Sequence, residues 1–368
     1  ALGVNCSLGP DDLEPIVSEI SKYTNLPIVI KPNAGLPDPN TNEYDVMPDD
    51  FAKSSLSLLK YGVKVLGGCC GTNPEYIKAL KDALADKKYQ PSKSQVDTIV
   101  CSASSVVEVN HPRIIGERIN PTGKKLFKQA LVDNNIDYIL TQALSQTGAG
   151  AEILDVNVGH PEIDEKQMMV RVLKAIQSVC DAPLQIDSTK PGVRAYNGRP
   201  IVNSVNGEEK SLSTVLPLVK KYGACVVGLT LDENGIPKTA EGRFEIAKRI
   251  VERAEAIGID RRDVFIDCLT MTVSAEQSAC SQTLNALHRV KTELGCKTCL
   301  GVSNISFGLP NRDLVTRTFL TMALEEGLDL PIINPNIDSI TGAVRAYRVL
   351  DGIDKNSMDF IATYNDAV

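Results

Sequence analysis

Short apolar runs with polar tips, each followed by an amphipathic stretch, repeat along most of the chain. The clearest is Arg113-Ile114-Ile115-Gly116-Glu117-Arg118-Ile119, which leads into Asn120-Pro121-Thr122-Gly123. An apolar run bounded by turn residues and followed by helical periodicity predicts a buried strand, a turn and a helix. From residue 112 onward the pattern predicts strands at 113–119, 151–158, 184–186, 200–203, 224–229, 264–266, 298–302 and 330–333. The helices between them are clearest at 244–257 and 279–294 and weakest at 192–196. Eight βα units over residues 112–368 match a complete (β/α)8 TIM barrel of the α/β class. A doubly wound open sheet is the alternative, and the regular count disfavours it. No G-x-G-x-x-G follows the first strand, and there is no P-loop sequence.

Residues 1–85 carry three further units, with strands expected near 2–5, 27–31 and 63–66 and helices at 11–23, 48–61 and 74–85. Parallel strands joined by helices form a sheet, and three of them do not close one. This segment is expected to be half of a barrel at most. Residues 86–111 lose the pattern and read as a linker, with short strands at 98–101 and 106–109. The opening Ala1-Leu2-Gly3-Val4-Asn5-Cys6 has neither an initiator Met nor a basic leader, which suggests a cut inside a longer gene rather than a signal peptide.

Composition narrows the function classes. The chain is 43% hydrophobic and 23% charged, ordinary for a globular protein. A formal net charge of -7 gives no electrostatic footprint for nucleic acid or an anionic membrane. No apolar run approaches the ~20 residues of a membrane helix. Ten Cys without secretory features predict a reducing, cytoplasmic setting, with thiols used for packing or metal. With only three His, a metal site is expected to be thiolate-rich, and acid–base work to fall to Asp, Glu, Asn or water.

Cys6, Cys69 and Cys70 fall at predicted strand tips, the face of a βα barrel where chemistry collects. Three thiolates and one open position are the pattern of a catalytic zinc, which keeps a substrate thiol deprotonated at neutral pH. A bare Cys-Cys pair is more often packing, but Gly67-Gly68-Cys69-Cys70-Gly71-Thr72 after an apolar strand, with Asn5-Cys6-Ser7 earlier, reverses that balance. On Gly3-Val4-Asn5-Cys6 and this Gly-Gly-Cys-Cys-Gly stretch, residues 1–85 resemble the homocysteine S-methyltransferase family. The resemblance implies that these three Cys bind zinc and that the zinc binds homocysteine. It also implies that residues 1–85 are the C-terminal part of a truncated (β/α)8 barrel, since the first five strands of that family's barrel have no counterpart in the sequence. Cys296-Lys297-Thr298-Cys299 lies at a strand start, away from the chemical face, and reads as packing, as do Cys180, Cys225, Cys268 and Cys280.

The strand tips of the later segment carry carboxylates and amides: Glu117, Asn120, Asp155, Asn157, Asp187, Ser188, Asn203, Asn206, Asp267, Ser303, Asn304, Asn334 and Asn336. A single Asx at a strand end is more often a turn or cap residue. So many around one mouth suit a flat heterocycle rich in donors and acceptors, such as a pterin. Metal binding by Asp155, Asp187 and Asp267 is the rival reading. Residues 112–368 resemble the pterin-binding family, its methyltetrahydrofolate branch in particular, on Gly116 to Gly123, Asp155-Val156-Asn157, Gln185-Ile186-Asp187-Ser188, Asn203 to Gly207, Asp267, and Gly301 to Gly308 with Arg312. By that resemblance Asp187, Asn206, Asp267 and Asn304 contact the pterin, with Asn304 near N5, and Glu117, Asn120, Asp155, Asn157 and Arg312 line the site. Asn304 and Asp155 are the expected catalytic pair.

The two segments in this order resemble the homocysteine and folate modules of the cobalamin-dependent methionine synthase family. The resemblance implies transfer of the N5-methyl of 5-methyltetrahydrofolate to cob(I)alamin and on to zinc-bound homocysteine. It implies zinc and cobalamin as cofactors. No D-x-H-x-x-G stretch is present, so the cobalamin is expected on a missing module or a separate corrinoid protein. A methyltetrahydrofolate:corrinoid protein methyltransferase and a folate-binding remnant without turnover are the alternatives.

Overall fold

The computed structural model describes residues 1–92, 97–187 and 190–365. They form two compact units, Ala1–Val96 and Asp97–Val368. In the first, β1 (Leu2–Asn5), β2 (Ile28–Lys31) and β3 (Val63–Leu66) make a parallel sheet in that order. Helices Pro10–Tyr23, Pro48–Ser57 and Pro74–Leu84 follow the strands. Each starts on a proline, whose missing N–H is one that a helix start leaves unused. The third is also capped by Asn73, whose side chain accepts from the Glu75 N–H at 2.8 Å. Ile28 and Ile30 of β2 are buried with Leu13, Val17, Leu58 and Val63, so the central strand anchors this unit.

The segment expected to be a linker, 86–111, does not behave as one element. Its later part belongs to the second unit and folds as an antiparallel hairpin of β4 (Ile99–Cys101) and β5 (Val106–Glu108). Val100 and Val109 are fully buried against Ile115, Ile153, Ile201, Phe265 and Leu330 at one end of the barrel. The two compact units divide at Val96/Asp97. A two-stranded hairpin is marginal alone, and burial of its valines against the barrel interior supplies what it lacks.

The second unit is a closed parallel barrel of β6 (Ile115–Ile119), β7 (Ile153–Val156), β8 (Leu184–Asp187), β9 (Ile201–Asn206), β10 (Cys225–Leu229), β11 (Val264–Asp267), β12 (Lys297–Gly301) and β13 (Leu330–Ile333), with β13 pairing back to β6. Each predicted strand is present. The weak helix at 192–196 is a short one at Lys190–Ala195. The long one at 279–294 is α-helical over Ala279–Arg289 and widens to a π turn at Val290–Leu294 before Gly295 at φ 64°.

Side chains alternate along a strand, so residues two apart share a face. On β7, Leu154 and Val156 join the shell between strands and helices, while Ile153 joins the interior floor. The interior column therefore runs Ile153, Asp155, Asn157 toward the carboxyl end. Ile115 and Glu117, Ile201 and Asn203, and Phe265 and Asp267 repeat that step from apolar floor to polar mouth. Among the described residues, no helix is long and apolar enough to cross a membrane.

Candidate functional site

Asp155 is the centre of the barrel mouth. It is 4% exposed, and its Oδ1 accepts from Gln185 Nε2 at 2.7 Å and Asn203 Nδ2 at 3.2 Å. Burial pushes its pKa up, and these amides together with that of Asn120 pull against the shift. The Asn120 and Asn157 side chains each serve twice. Asn120 Oδ1 accepts from the Thr122 N–H at 2.9 Å, closing the turn after β6. Asn157 Oδ1 accepts from the Gly159 N–H at 2.8 Å, and its Nδ2 donates to Asp187 Oδ2. The same amides thus close their turns and hydrogen-bond to the carboxylates of the mouth. Asn206 Oδ1 caps Glu208 N–H at 3.0 Å, and Asn334 Oδ1 accepts from Asn336 N–H at 3.2 Å. Ser188 lies outside the described residues.

Glu117 and Asp267 stand at other tips of the same mouth. Glu117 accepts from Ser303 Oγ at 3.0 Å, tying β6 to the turn after β12. Burial raises its pKa against the pull of Ser303, Lys124, Arg118 and Arg312. Asp267 Oδ1 accepts from the Leu269 N–H at 2.7 Å, and burial pushes its carboxyl up to about 6. Asn304 is exposed on the short helix Val302–Ser306. A Cβ on Gly301 would lie 3.3 Å from its Nδ2, so the glycine leaves that amide room. Arg312 donates to Ser303 O at 2.9 Å and Ser306 Oγ at 3.1 Å and stacks on Phe307 at 4.4 Å. The segment after β12 is therefore a clamped helical turn, and Arg312 is its clamp.

Three residues of this end escaped the sequence reading as site residues. Gln185 sits in an apolar strand, and its burial against Asp155 is a tertiary fact. Lys124 Nζ donates to Glu117 O at 2.9 Å, with burial lowering its pKa; in sequence it is one lysine of a polar turn. Arg243, 2% exposed, lies in the first turn of helix Ala240–Ala256, where a charged residue ordinarily faces solvent.

In the first unit, Cys6 follows β1 and Cys69 and Cys70 follow β3. The Cys6 N–H donates to Lys31 O at 2.9 Å and the Cys69 N–H to Pro32 O at 2.8 Å. Buried Asn33 accepts from the Cys70 N–H at 3.1 Å. These bonds tie both strand ends to the tip of β2. The three Sγ atoms lie within 4.8 Å of one another, with Cys6 and Cys70 at 3.5 Å. Tetrahedral zinc with ~2.3 Å bonds sets its sulfurs ~3.8 Å apart, so the trio fits. Among the described residues, no other group of Cys, His, Asp or Glu is tight enough to hold a metal ion. The Ser7 N–H, then Cys70 and Cys69, hold the Cys6 thiol below its usual range, whereas Cys6 pushes Cys70 up. Gly71 is required: it has φ 78°, and a Cβ would lie 2.3 Å from the Tyr44 ring that flanks Cys70. Cys180, Cys225, Cys268, Cys296 and Cys299 are buried, as thiols used in packing are.

Residues 116–334 match the family of pterin binding enzymes, and residues 1–84 match the family described as homocysteine S-methyltransferase. The chain is 32% identical over 366 residues to a methionine synthase of Mycobacterium leprae and 32% identical over 361 residues to one of Mycobacterium tuberculosis, with 90% of this chain covered in each case. It spans 30% of the length of either relative. In structure it is similar to a dihydropteroate synthase of Xanthomonas albilineans, with TM-score 0.56 at 18% identity over 70% of this chain and 99% of that one. A dihydropteroate synthase of Stenotrophomonas maltophilia aligns with TM-score 0.54 at 15% identity over 69% of this chain and 98% of that one. At such identities these two likenesses concern the barrel fold alone.

Proposed function

Starting from the premise that the chain belongs to the pterin binding enzyme family, we propose that it is a methyltransferase portion of a methionine synthase. Its substrates in this reading are 5-methyltetrahydrofolate at the barrel mouth and homocysteine at the cysteine trio. The methyl acceptor is cob(I)alamin, carried by a further module or a separate corrinoid protein, and it supplies a nucleophile strong enough to take a methyl from an amine. Zinc at Cys6, Cys69 and Cys70 supplies the Lewis acid that keeps a homocysteine thiol deprotonated at neutral pH.

The remaining chemistry falls to residues of this chain. A pterin offers the donors of its 2-amino group and N3–H along one edge, and Asp187 and Asp267 offer carboxylate acceptors, with Asn206 beside them. N5 is a tertiary amine and leaves poorly unless it is protonated or hydrogen-bonded as the methyl departs. Asn304 Nδ2 donates to N5 as charge develops there, and Asp155 and Glu117 hold a water that supplies the proton. Burial raises the pKa of both carboxyls above the ordinary carboxylate value.

The observation that carries the reading is the pairing of Asp187 with Asn157 beside the amide-bound Asp155 at one mouth. A metal centre on Asp155, Asp187 and Asp267 is disfavoured, because they are bound to amides and to a backbone N–H, and no tight ligand group forms there among the described residues. The cysteine trio favours this reading over an enzyme that passes methyl only to a corrinoid protein. Titration calorimetry with 5-methyltetrahydrofolate tests it. The chain is expected to bind the folate, and Asp187→Ala to weaken binding by about 1.5–3 kcal/mol, the range for hydrogen bonds to a charged group. Unchanged affinity in that variant would remove Asp187 from the site.

A further inference from the structure

Arg243 is among the largest fully buried side chains of the described residues, yet no carboxylate lies within ion-pair distance of it there. A buried guanidinium is costly unless its donors are met. Here Nη1 donates to Cys268 O at 3.0 Å, Leu269 O at 3.1 Å and Thr283 Oγ1 at 2.8 Å, and Nε donates to Pro237 O at 2.9 Å. Two of those acceptors are the carbonyls directly after Asp267. Leu269 has φ 60°, a left-handed conformation that a leucine keeps only where its surroundings impose it. They do so from both sides. Arg243 and Thr283 hold its carbonyl, Thr283 Oγ1 at 3.1 Å, and Asp267 Oδ1 holds its N–H at 2.7 Å.

We propose that Arg243 is a positioning residue for Asp267: by gripping the Cys268 and Leu269 carbonyls it aims the Leu269 N–H at Asp267 Oδ1 and so orients the carboxylate for the pterin's amino edge. Its charge acts in the same direction, favouring the carboxylate over the acid. The other titratable groups facing Asp267 are Cys268 on its own strand end and Cys299 on β12, both buried thiols held neutral at physiological pH. From β10 the neighbours are Leu229 and Thr230, which are uncharged.

The inference rests on the pterin reading and is tested by the pH dependence of 5-methyltetrahydrofolate binding. Wild-type affinity is expected to fall as pH drops through about 6, as Asp267 takes up its proton. Arg243→Met removes the cation and should move that midpoint up by about one unit, the low end for loss of a nearby opposite charge. Arg243→Lys keeps the charge and should restore the midpoint. A midpoint that stays put in Arg243→Met overturns the proposal. If that variant does not fold, Thr283→Val decides, because it loosens the guanidinium and Leu269 O while the charge stays. Its affinity at pH 7.5 should drop several-fold with the midpoint unmoved, and unchanged affinity overturns the proposal. A wild-type chain that binds no folate at any pH overturns the pterin reading alone. Carboxyl carbon shifts of Asp267 in the ligand-free protein, compared between wild type and the Arg243 variants, then still decide the role of Arg243.

Discussion

Asp267 and Asn304 illustrate how environment assigns roles to ordinary residues. Burial lifts Asp267 to about 6, above the ~3.9 of an unfolded chain. The folded carboxyl therefore keeps its proton at pH values where the unfolded one has lost it. The stability this contributes is complete below about pH 4 and is lost as pH rises through about 6. Asp267→Asn removes the titration, so the variant's stability relative to wild type should rise by up to about 3 kcal/mol between pH 4 and pH 7.5. Urea unfolding at the two pH values measures the difference, and an identical offset at both would mean that Asp267 titrates as an exposed carboxylate. Asn304 is expected to act through a bond stronger in the transition state than in the ground state. Asn304→Ala should then slow methyl transfer to cob(I)alamin more than it weakens folate binding. Single-turnover rates beside binding constants decide it, and an intact rate at saturating folate would leave Asn304 a binding residue only.

At the scale of elements, the first barrel strand depends on a residue without a side chain. A Cβ at Gly116 would lie 2.6 Å from Gln146 Oε1 and 3.2 Å from Leu154 Cδ2. Gln146 is fully buried on helix Ile136–Gly148, and its Oε1 accepts the Arg118 N–H at 2.7 Å. Gly116→Ala should push that helix off β6 and cost about 1–3 kcal/mol, the usual penalty for overpacking a tight interior. Because the displaced bond belongs to Arg118, between Glu117 and Ile119, folate affinity should fall as well. Thermal unfolding and calorimetry on the same variant check both, and a variant as stable as wild type would mean that Gln146 yields freely. The 86–111 segment shows the converse: its polar stretches read as linker, but Val100 on β4 and Val109 just after β5 complete the barrel floor.

For the molecule as a whole, the first unit is the part whose stability should depend on metal. Three thiols at the ends of β1 and β3 are joined through β2, so an ion there would cross-link the strand ends. At a free zinc concentration a hundred times the dissociation constant, binding stabilises the folded state by about 2.7 kcal/mol. Chelation should therefore raise hydrogen exchange near Cys6 and in the 67–72 turn and leave the closed barrel unchanged. Cys6→Ala, Cys69→Ala and Cys70→Ala should each reduce zinc stoichiometry measured by metal analysis. Full zinc content in any one of them would exclude that cysteine as a ligand.

Local pattern by itself determined the eight later βα units, the three earlier ones and the placing of Cys6, Asp155, Asp187 and Asp267 at strand ends. Strand burial and helix periodicity are short-range properties, and a strand end is where an apolar run stops. Spacing also placed Cys69 and Cys70, because two adjacent residues after one strand cannot be far from its tip. What the tertiary structure alone decided is partnership. Asp155 meets Gln185 because the β7–β8 register brings the two level, and Asn203, level with Asp187 on β8, reaches it from two residues further along the mouth. Arg312 clamps the turn that carries Asn304, and Arg243 turns inward beneath Asp267, because each finds backbone carbonyls that the sequence does not mark. A hydrogen bond between residues tens of positions apart depends on how the sheet closes, and no local pattern encodes that closure residue by residue.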